Sequence, residues 1–302
     1  MRRRTLIWLT LLLIVFLVIL AIKNVIGQGI SYRQAPILLT TLSLIILFIL
    51  YLLTSRYDLW EINPEKVAYL GAGAGLYLGL AYVFTDTLNL SLGKLVLRPA
   101  VCIPILFGYA FGPAVGFFTG AVGSLLADFA IGWDVFPIWN LAAGVTGLIP
   151  GFVALFKEEK IPERIISTAV NLLLILTAAL VFLHPRAPEP WTGVIQDFSF
   201  WGYVILTVTV VMAANSYLME QDRLNLISIN LWGALGIILS TFFTSLADIW
   251  LNGFSITTAL VGEYVPYTAT DTFNLVIFAP LIMAAYQFAR NHLPGFSRTK
   301  QT

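Results

Sequence analysis

Long apolar runs, separated by short polar stretches, recur along the whole sequence. Most of them have the roughly 17 to 25 residues that a helix needs to cross the hydrocarbon core of a bilayer. We predict about ten transmembrane helices, at 5–22, 36–54, 67–88, 97–111, 113–131, 139–156, 164–183, 200–219, 227–250 and 267–289. The expected fold class is therefore all-α, a polytopic helical membrane protein.

The composition supports this interpretation. Of the 302 residues, 59% are hydrophobic and only 11% are charged, whereas a water-soluble domain carries about 25% charged residues. The mean hydropathy is +0.87. These values exclude a soluble globular protein.

The stretch from Leu97 to Gly151 is rich in glycine, alanine and proline. Turns at Phe111-Gly112-Pro113 and Gly132-Trp133-Asp134 divide it into three short helices. Each glycine inside a helix costs about 1 kcal/mol relative to alanine in water. In lipid, the same small residues let helices approach closely. We therefore expect the most tightly packed part of the bundle here.

A charged loop at 55–66 indicates a boundary in the chain. We expect residues 1–60 to form an appended two-span hairpin, 61–290 the membrane core with a helix pair inserted at about 164–219, and 291–302 a cytoplasmic tail. The first run has no small-residue cleavage site before Lys23. We therefore expect a retained span rather than a signal peptide.

Lysine and arginine are distributed unevenly between the predicted loops. If the N-terminus lies inside, the cytoplasmic side receives twelve of the 17 basic residues and the outer side five, among them Lys94 and Arg98. Basic residues favour the cytoplasmic side of short loops. Both termini are therefore expected in the cytoplasm.

Three glycines on the third predicted span share one helix face. Gly71, Gly75 and Gly79 follow one another at intervals of four residues, so they form a groove of exposed backbone. Such a groove admits another helix at close range. That helix is either part of this chain or part of a separate subunit, and the sequence leaves both possibilities open.

Four aspartates lie in the outer half of the predicted spans: Asp86, Asp128, Asp248 and Asp271. Ionisable groups at membrane depth are costly unless they face a cavity or a partner, so they indicate a binding site. Capping of helix ends is the alternative, above all for Asp86 and Asp271. The same side carries further polar and aromatic residues: Arg98, Trp133, Asp134, Trp139, Asn140, Trp250, Asn252, Tyr264 and Tyr267. They suit either a small-molecule pocket or the aromatic belt at the membrane surface.

No motif of soluble catalysis is present. The sequence contains no GxxxxGK[ST] loop, no HExxH and no Cys or His pair with metal-ligand spacing. We therefore expect no enzyme activity, no catalytic residue, no metal and no cofactor. The net charge of +1 gives no indication of a nucleic-acid partner.

The core motifs nevertheless resemble a known family. Arg98-Pro99 with Pro104, the segment from Phe111 to Gly123, and Gly144-Val145-Thr146-Gly147-Leu148-Ile149-Pro150-Gly151 are similar to the substrate-binding S components of energy-coupling factor (ECF) transporters. The end of the chain is similar too, where Gly262 to Pro266 precede Asp271 and Asn274. The resemblance covers about 67–156 and 227–290.

The resemblance implies a core of six membrane helices plus additional hairpins. It implies capture of a vitamin or similar organic micronutrient from outside the prokaryotic cell membrane, together with a transmembrane coupling subunit and two ATPase subunits. Docking to the coupling subunit maps onto Gly71, Gly75 and Gly79, or onto the offset Ala68 and Ala72. Met1 is followed by Arg2, where the metal-transporting branch of the family has Met-His, so an organic substrate is expected.

The pocket implied by the family maps onto 89–98, 133–140 and 252–271. Combined with the residue pattern, this gives eleven candidate substrate-binding residues: Asn89, Arg98, Asp128, Trp133, Trp139, Asn140, Asp248, Asn252, Tyr264, Asp271 and Asn274.

Two other hypotheses remain open. In an ion-coupled secondary transporter, Asp128 and Asp248 would relay protons or bind Na⁺. In a membrane scaffold, the extra hairpins would be partner surfaces.

Overall fold

The computed structural model describes residues 34–55, 57–155, 163–184, 186, 188, 198–218 and 224–292. The first predicted span at 5–22, the Met1-Arg2 position and the predicted tail beyond His292 lie outside these residues. We number the α-helices of this part of the chain in order: α1 Gln34–Thr54, α2 Pro64–Ala81, α3 Cys102–Phe111, α4 Pro113–Ile131, α5 Pro137–Gly151, α6 Glu163–Leu183, α7 Ser199–Leu218, α8 Leu224–Leu251 and α9 Val265–His292.

Short irregular elements extend or connect these helices. A π-helix at Tyr82–Thr87 continues α2, and a second one at Thr258–Tyr264 leads into α9. A small antiparallel hairpin, β1 Ser91–Leu92 and β2 Leu95–Val96, precedes the 3₁₀ turn Pro99–Val101 that starts α3. A further 3₁₀ turn at Asp58–Trp60 follows α1.

The chain is a polytopic helical membrane protein, as predicted. Six helical segments of the described chain are long and apolar enough to cross a membrane: Pro64–Thr87, Pro113–Ile131, Pro137–Leu155, Arg164–Leu183, Ser228–Leu251 and Thr258–His292. Leu39–Thr54, Pro99–Phe111 and Ser199–Ala214 are shorter apolar helices. Each of the nine predicted spans that fall in the described residues coincides with one of these helices.

The start of the last helix differs from the prediction. The spans predicted at 227–250 and 267–289 leave an outer connecting segment from Leu251 to Pro266. In the structure, helix resumes at Thr258, and Glu263 is buried with a hydrogen bond to Asp248. Because the carboxyl group has a partner inside the bundle, a charged residue does not end the helix here.

Glycine determines where α4 begins and ends. Gly112 precedes Pro113 with a φ of 102°, and Gly132 follows Ile131 with a φ of 81°. Left-handed backbone at these values favours glycine, and proline fits the first turn of a helix because its missing N–H has no partner there. The two predicted turns are therefore found where the sequence placed them.

Helices α3, α4 and α5 pack backbone against backbone. A Cβ added at Gly116 or Gly147 would run into the main chain of the other residue, and one added at Gly108 would meet Gly147. A Cβ added at Gly120 would likewise run into the main chain of Ala143 and Gly144. This confirms the expected tight packing between Leu97 and Gly151.

Helices α6 and α7, the predicted inserted pair, lie against α8 and α9. Val170, Leu174, Ile205 and Met212 are fully buried in one apolar cluster that also contains residues of α3, α8 and α9. Helices α5 and α8 are joined by a hydrogen bond of 2.8 Å between Thr146 Oγ1 and Ser240 Oγ. The inserted pair therefore shares one apolar core with α3, α8 and α9.

Candidate functional site

Successive helices run in opposite directions, so the polar residues of interest gather at one end of the bundle. Helices α2, α4, α6 and α8 finish there, and α3, α5, α7 and α9 begin there. We call this the site end and the other the far end. The β-hairpin and the turn at Gly132 also lie at the site end.

Arg98 and α9 are joined at the site end by several polar contacts. The Arg98 backbone N–H donates to Asn274 Oδ1 at 2.7 Å, and Arg98 Nη1 lies 3.8 Å from Asp271 Oδ1. The Asn274 amide in turn donates to the Val96 carbonyl at 2.9 Å and to the Thr270 carbonyl at 2.8 Å. Asn274 therefore fixes the segment after the hairpin, and the Arg98 guanidinium is held beside Asp271.

A second group connects α4 and α5. Asn140 Nδ2 donates to Asp128 Oδ2 at 2.7 Å and to Ser124 Oγ at 2.9 Å. The buried Tyr77 of α2 hydrogen-bonds Ser124 and lies within electrostatic range of Arg98, Asp128 and Asp271. The Asp128 group and the Arg98 group therefore lie next to each other.

A third group surrounds Asp248 on α8. Asn252 Nδ2 donates to Asp248 Oδ1 at 2.9 Å, and Trp139 and Glu263 also hydrogen-bond this carboxyl group. The rings of Trp139 and Tyr267 pack with their centroids 4.6 Å apart. Tyr267 lies within electrostatic range of Arg98, Asp271, Asp248 and Glu263.

These three groups form one polar cluster at the site end. It comprises Tyr77, Arg98, Ser124, Asp128, Trp139, Asn140, Asp248, Asn252, Glu263, Tyr267, Asp271 and Asn274. Half of its members are buried, whereas Asn252 is exposed, as are 32% of the Arg98 side chain and 37% of Tyr267. The cluster therefore opens to the surface between Arg98 and Tyr267.

Eight of the eleven candidate residues lie in this polar cluster, and three do not. Asn89 is exposed in the turn before the hairpin, with a φ of 42°. Trp133 is 54% exposed in the turn after α4. The Tyr264 hydroxyl is 2.8 Å from Thr177 Oγ1 on α6, and its ring packs against Phe242. Tyr264 is therefore directed at the inserted pair.

The glycine face of α2 lies open. A Cβ added at Gly71, Gly75 or Gly79 would have nothing within 4 Å among the described residues. The neighbouring Ala68, Ala72 and Leu76 are exposed as well. Gly73, on the opposite face, packs tightly against Thr119 and Phe107. Helix α2 therefore uses one glycine for packing within the described bundle and presents three outward.

Comparison with known proteins assigns the core. Residues 61–184 match the family described as ECF-type riboflavin transporter, S component. This part of the chain is therefore similar to the S components of ECF transporters, which are transporter subunits.

Curated relatives match part of the chain. A UPF0397 protein of Aliivibrio fischeri (strain MJ11) is 24% identical over 166 residues, which span 53% of this chain and 86% of that protein. A UPF0397 protein of Vibrio atlanticus (strain LGP32) is 33% identical over 108 residues, 33% of this chain and 54% of that protein. No solved structure matches the chain.

The matched region supplies only part of the polar cluster of this protein. It contains Tyr77, Arg98, Asp128 and Asn140, whereas Asp248, Glu263 and Asp271 come from α8, the π-helix and α9, beyond residue 184. The geometry of the cluster thus links the family-matched helices to the C-terminal pair.

Sequence reasoning did not select Glu263 or Tyr77 as site residues. Glu263 was placed in a loop, where a carboxylate is unremarkable. Tyr77 looks like an ordinary apolar residue of a membrane helix. Its four-residue spacing from Gly73 and Ala81 could have placed it on the packed face of α2, opposite the exposed glycines.

Asn274→Ala is expected to destabilise the protein. It removes hydrogen bonds to the Arg98 N–H and the Val96 carbonyl, and buried polar groups left without partners cost about 1–3 kcal/mol each. The melting temperature in detergent should fall, and hydrogen exchange should accelerate at 90–98. Asn291→Ala is the control, because Asn291 is exposed near the end of α9 and lies outside the polar cluster. An equal change in both variants would contradict the role given to Asn274.

Proposed function

We propose that this protein is an S component that captures a vitamin or a similar small organic micronutrient and delivers it through an ATP-driven ECF importer. The observation that carries the proposal is the polar cluster at the site end of a membrane bundle. Charged groups are retained at membrane depth mainly where they bind something. An aromatic pair beside a few placed polar groups suits a small organic molecule.

We place the substrate between Arg98, Asp128, Trp139 and Asp271. Tyr267 and Trp139 provide flat apolar surface, and Arg98 and the carboxyl groups provide polar contacts. Asn140, Asp248, Asn252 and Asn274 hold these groups in place and line the same region. Asn89, Trp133 and Tyr264 remain candidates from the sequence, at the edge of the site or beyond it.

The proposal includes an orientation and partners. The site end faces outward and both termini face the cytoplasm, as the distribution of basic residues favours. A transmembrane coupling subunit docks on the face of Gly71, Gly75 and Gly79, and two ATPases drive transport. Helices α2–α5, α8 and α9 form the six-helix core of the 61–290 unit. The hairpin of residues 1–60 and the pair α6–α7 are additions to it.

The first experiment is native mass spectrometry of the protein purified in mild detergent. We expect a bound organic molecule of vitamin size, and riboflavin is the first compound to add back because the matched family carries its name. Coexpression with a coupling subunit and ATPases should permit ATP-dependent uptake. Uptake that needs no ATPase and is abolished by a protonophore would favour the ion-coupled carrier instead, for which the buried Asp248–Glu263 pair offers a proton site.

A further inference from the structure

The polar cluster carries an excess of acidic groups. It contains Asp128, Asp248, Glu263 and Asp271, and its single basic side chain is Arg98. A hydrogen bond between the Asp248 and Glu263 carboxyl groups requires a proton on one of them, so this pair carries at most one negative charge. With Asp128 and Asp271 ionised and Arg98 counted once, the net charge of the cluster is at most two negative charges. Lys94, on the nearby hairpin, lies over the Phe200 ring of α7, 5.6 Å from its centroid.

The buried atoms of the cluster that lack a hydrogen bond to any described residue are all oxygens, and one of them, Asp271 Oδ1, lies 3.8 Å from Arg98 Nη1. Glu263 Oε2, Asn140 Oδ1 and Asp271 Oδ1 are buried and have no hydrogen-bond partner among the described residues. Glu263 is 7% exposed, Asn140 1% and Asp271 9%. All three atoms are acceptors. The Asn140 orientation follows from its bonds, because its nitrogen donates to Asp128 and Ser124.

A buried acceptor without a donor costs free energy. A bound molecule that offers N–H groups therefore gains more binding free energy here than one that offers acceptors. Trp139 and Tyr267, with ring centroids 4.6 Å apart, add a partly exposed aromatic surface for a flat molecule. A cation is favoured over such rings as well as beside carboxylates. A phosphate or carboxylate group placed beside Glu263 and Asp271 would instead meet like charge.

We propose that the substrate is a planar heteroaromatic base that presents N–H donors and carries a positive charge, and that the site rejects phosphorylated and carboxylated molecules. This inference rests on the proposed function, because it specifies the substrate class of the same site. Glu263 Oε2 and Asp271 Oδ1 accept from the ring substituents of the base. The base lies against the Trp139 and Tyr267 pair.

The test is a binding titration of the full chain in detergent, with four probes. Thiamine and 2,4-diaminopyrimidine represent cationic or amino-bearing bases, riboflavin a neutral ring system, and riboflavin 5′-phosphate its anionic form. We expect a base to bind at least about 10-fold more tightly than either flavin, a difference of roughly 1.4 kcal/mol. Tighter binding of a flavin would overturn the substrate class and leave the proposed function standing. Binding of none of the probes by the folded protein would count against both.

Glu263→Gln tests the negative charge of the Asp248–Glu263 pair. The amide keeps the shape of the side chain and one acceptor oxygen but cannot ionise, so binding of the cationic base should weaken about 10-fold. Asp86→Asn is the matched control, because Asp86 is exposed at the end of the π-helix that continues α2, and it should leave binding unchanged. If Glu263→Gln does not fold, Asp248→Asn removes the other member of the pair. Unchanged binding in a folded variant of this pair would refute the assignment.

Discussion

Valine at Gly120 is expected to prevent formation of the folded bundle, and alanine at the same position to destabilise it strongly. A Cβ at Gly120 would lie 2.8 Å from the backbone nitrogen of Gly144 and closer still to the Ala143 carbonyl. These are main-chain atoms of a packed helix, so no side chain can move aside. Helices α4 and α5 would have to separate along the whole glycine contact.

The expected cost of Gly120→Ala is about 3 kcal/mol or more, at or above the upper end of typical overpacking penalties. For a chain of this size that corresponds to a fall in melting temperature of roughly 6–12 °C. Thermal unfolding in detergent and size-exclusion chromatography measure the effect. Gly120→Val should give aggregated or absent protein.

Gly75→Ala is the matched control for this prediction. Both glycines lie within membrane helices, but the space beside Gly75 is open among the described residues. The same substitution should therefore change the melting temperature there by only a few degrees. Similar losses at Gly75 and Gly120 would show that glycine content, rather than the contact between α4 and α5, determines the stability.

The transmembrane helices could be predicted because their signal is local. An apolar run of sufficient length has few alternatives to a spanning helix, and Gly112-Pro113 and Gly132 end or begin helices through their own backbone preferences. The prediction missed the helix at 258–264, which it assigned to the connection between two spans; this helix contains Glu263, a buried carboxyl group. Its partner, Asp248, is on another helix, and a sequence does not show which carboxyl groups meet.

For the candidate site, too, the sequence predicted the positions of residues along the helices but not which side chains meet. Helix alternation placed Arg98, Asp128, Asp248 and Asp271 at one end of the bundle, but not the direction in which each side chain points. Tyr264 illustrates this, because its hydroxyl meets Thr177 of the inserted pair although its neighbour Glu263 contacts Asp248. One helical step of about 100° separates the two directions.

The exposed glycines of α2 give the second large effect. Gly75→Leu is expected to reduce ATP-driven uptake about 10- to 100-fold, while substrate binding by the isolated chain changes less than twofold. A leucine side chain would hold a docking helix away from the α2 backbone, and overpacking of this kind costs about 1–3 kcal/mol. Since about 1.4 kcal/mol corresponds to a tenfold change in an equilibrium constant, this cost would weaken docking by roughly 10- to 100-fold. Binding should persist because Gly75 lies on the face opposite Gly73 and outside the polar cluster.

Ala213→Leu on α7 is the control for Gly75→Leu, since it adds bulk at another exposed position of a membrane helix. Uptake with that variant should be normal. A fall in the melting temperature of Gly75→Leu without partner subunits would show that a segment of this chain itself packs on the glycine face. Equal loss of binding and uptake would likewise contradict docking there. Loss of uptake alone, with normal binding and stability, would support the assignment of this face to the coupling subunit.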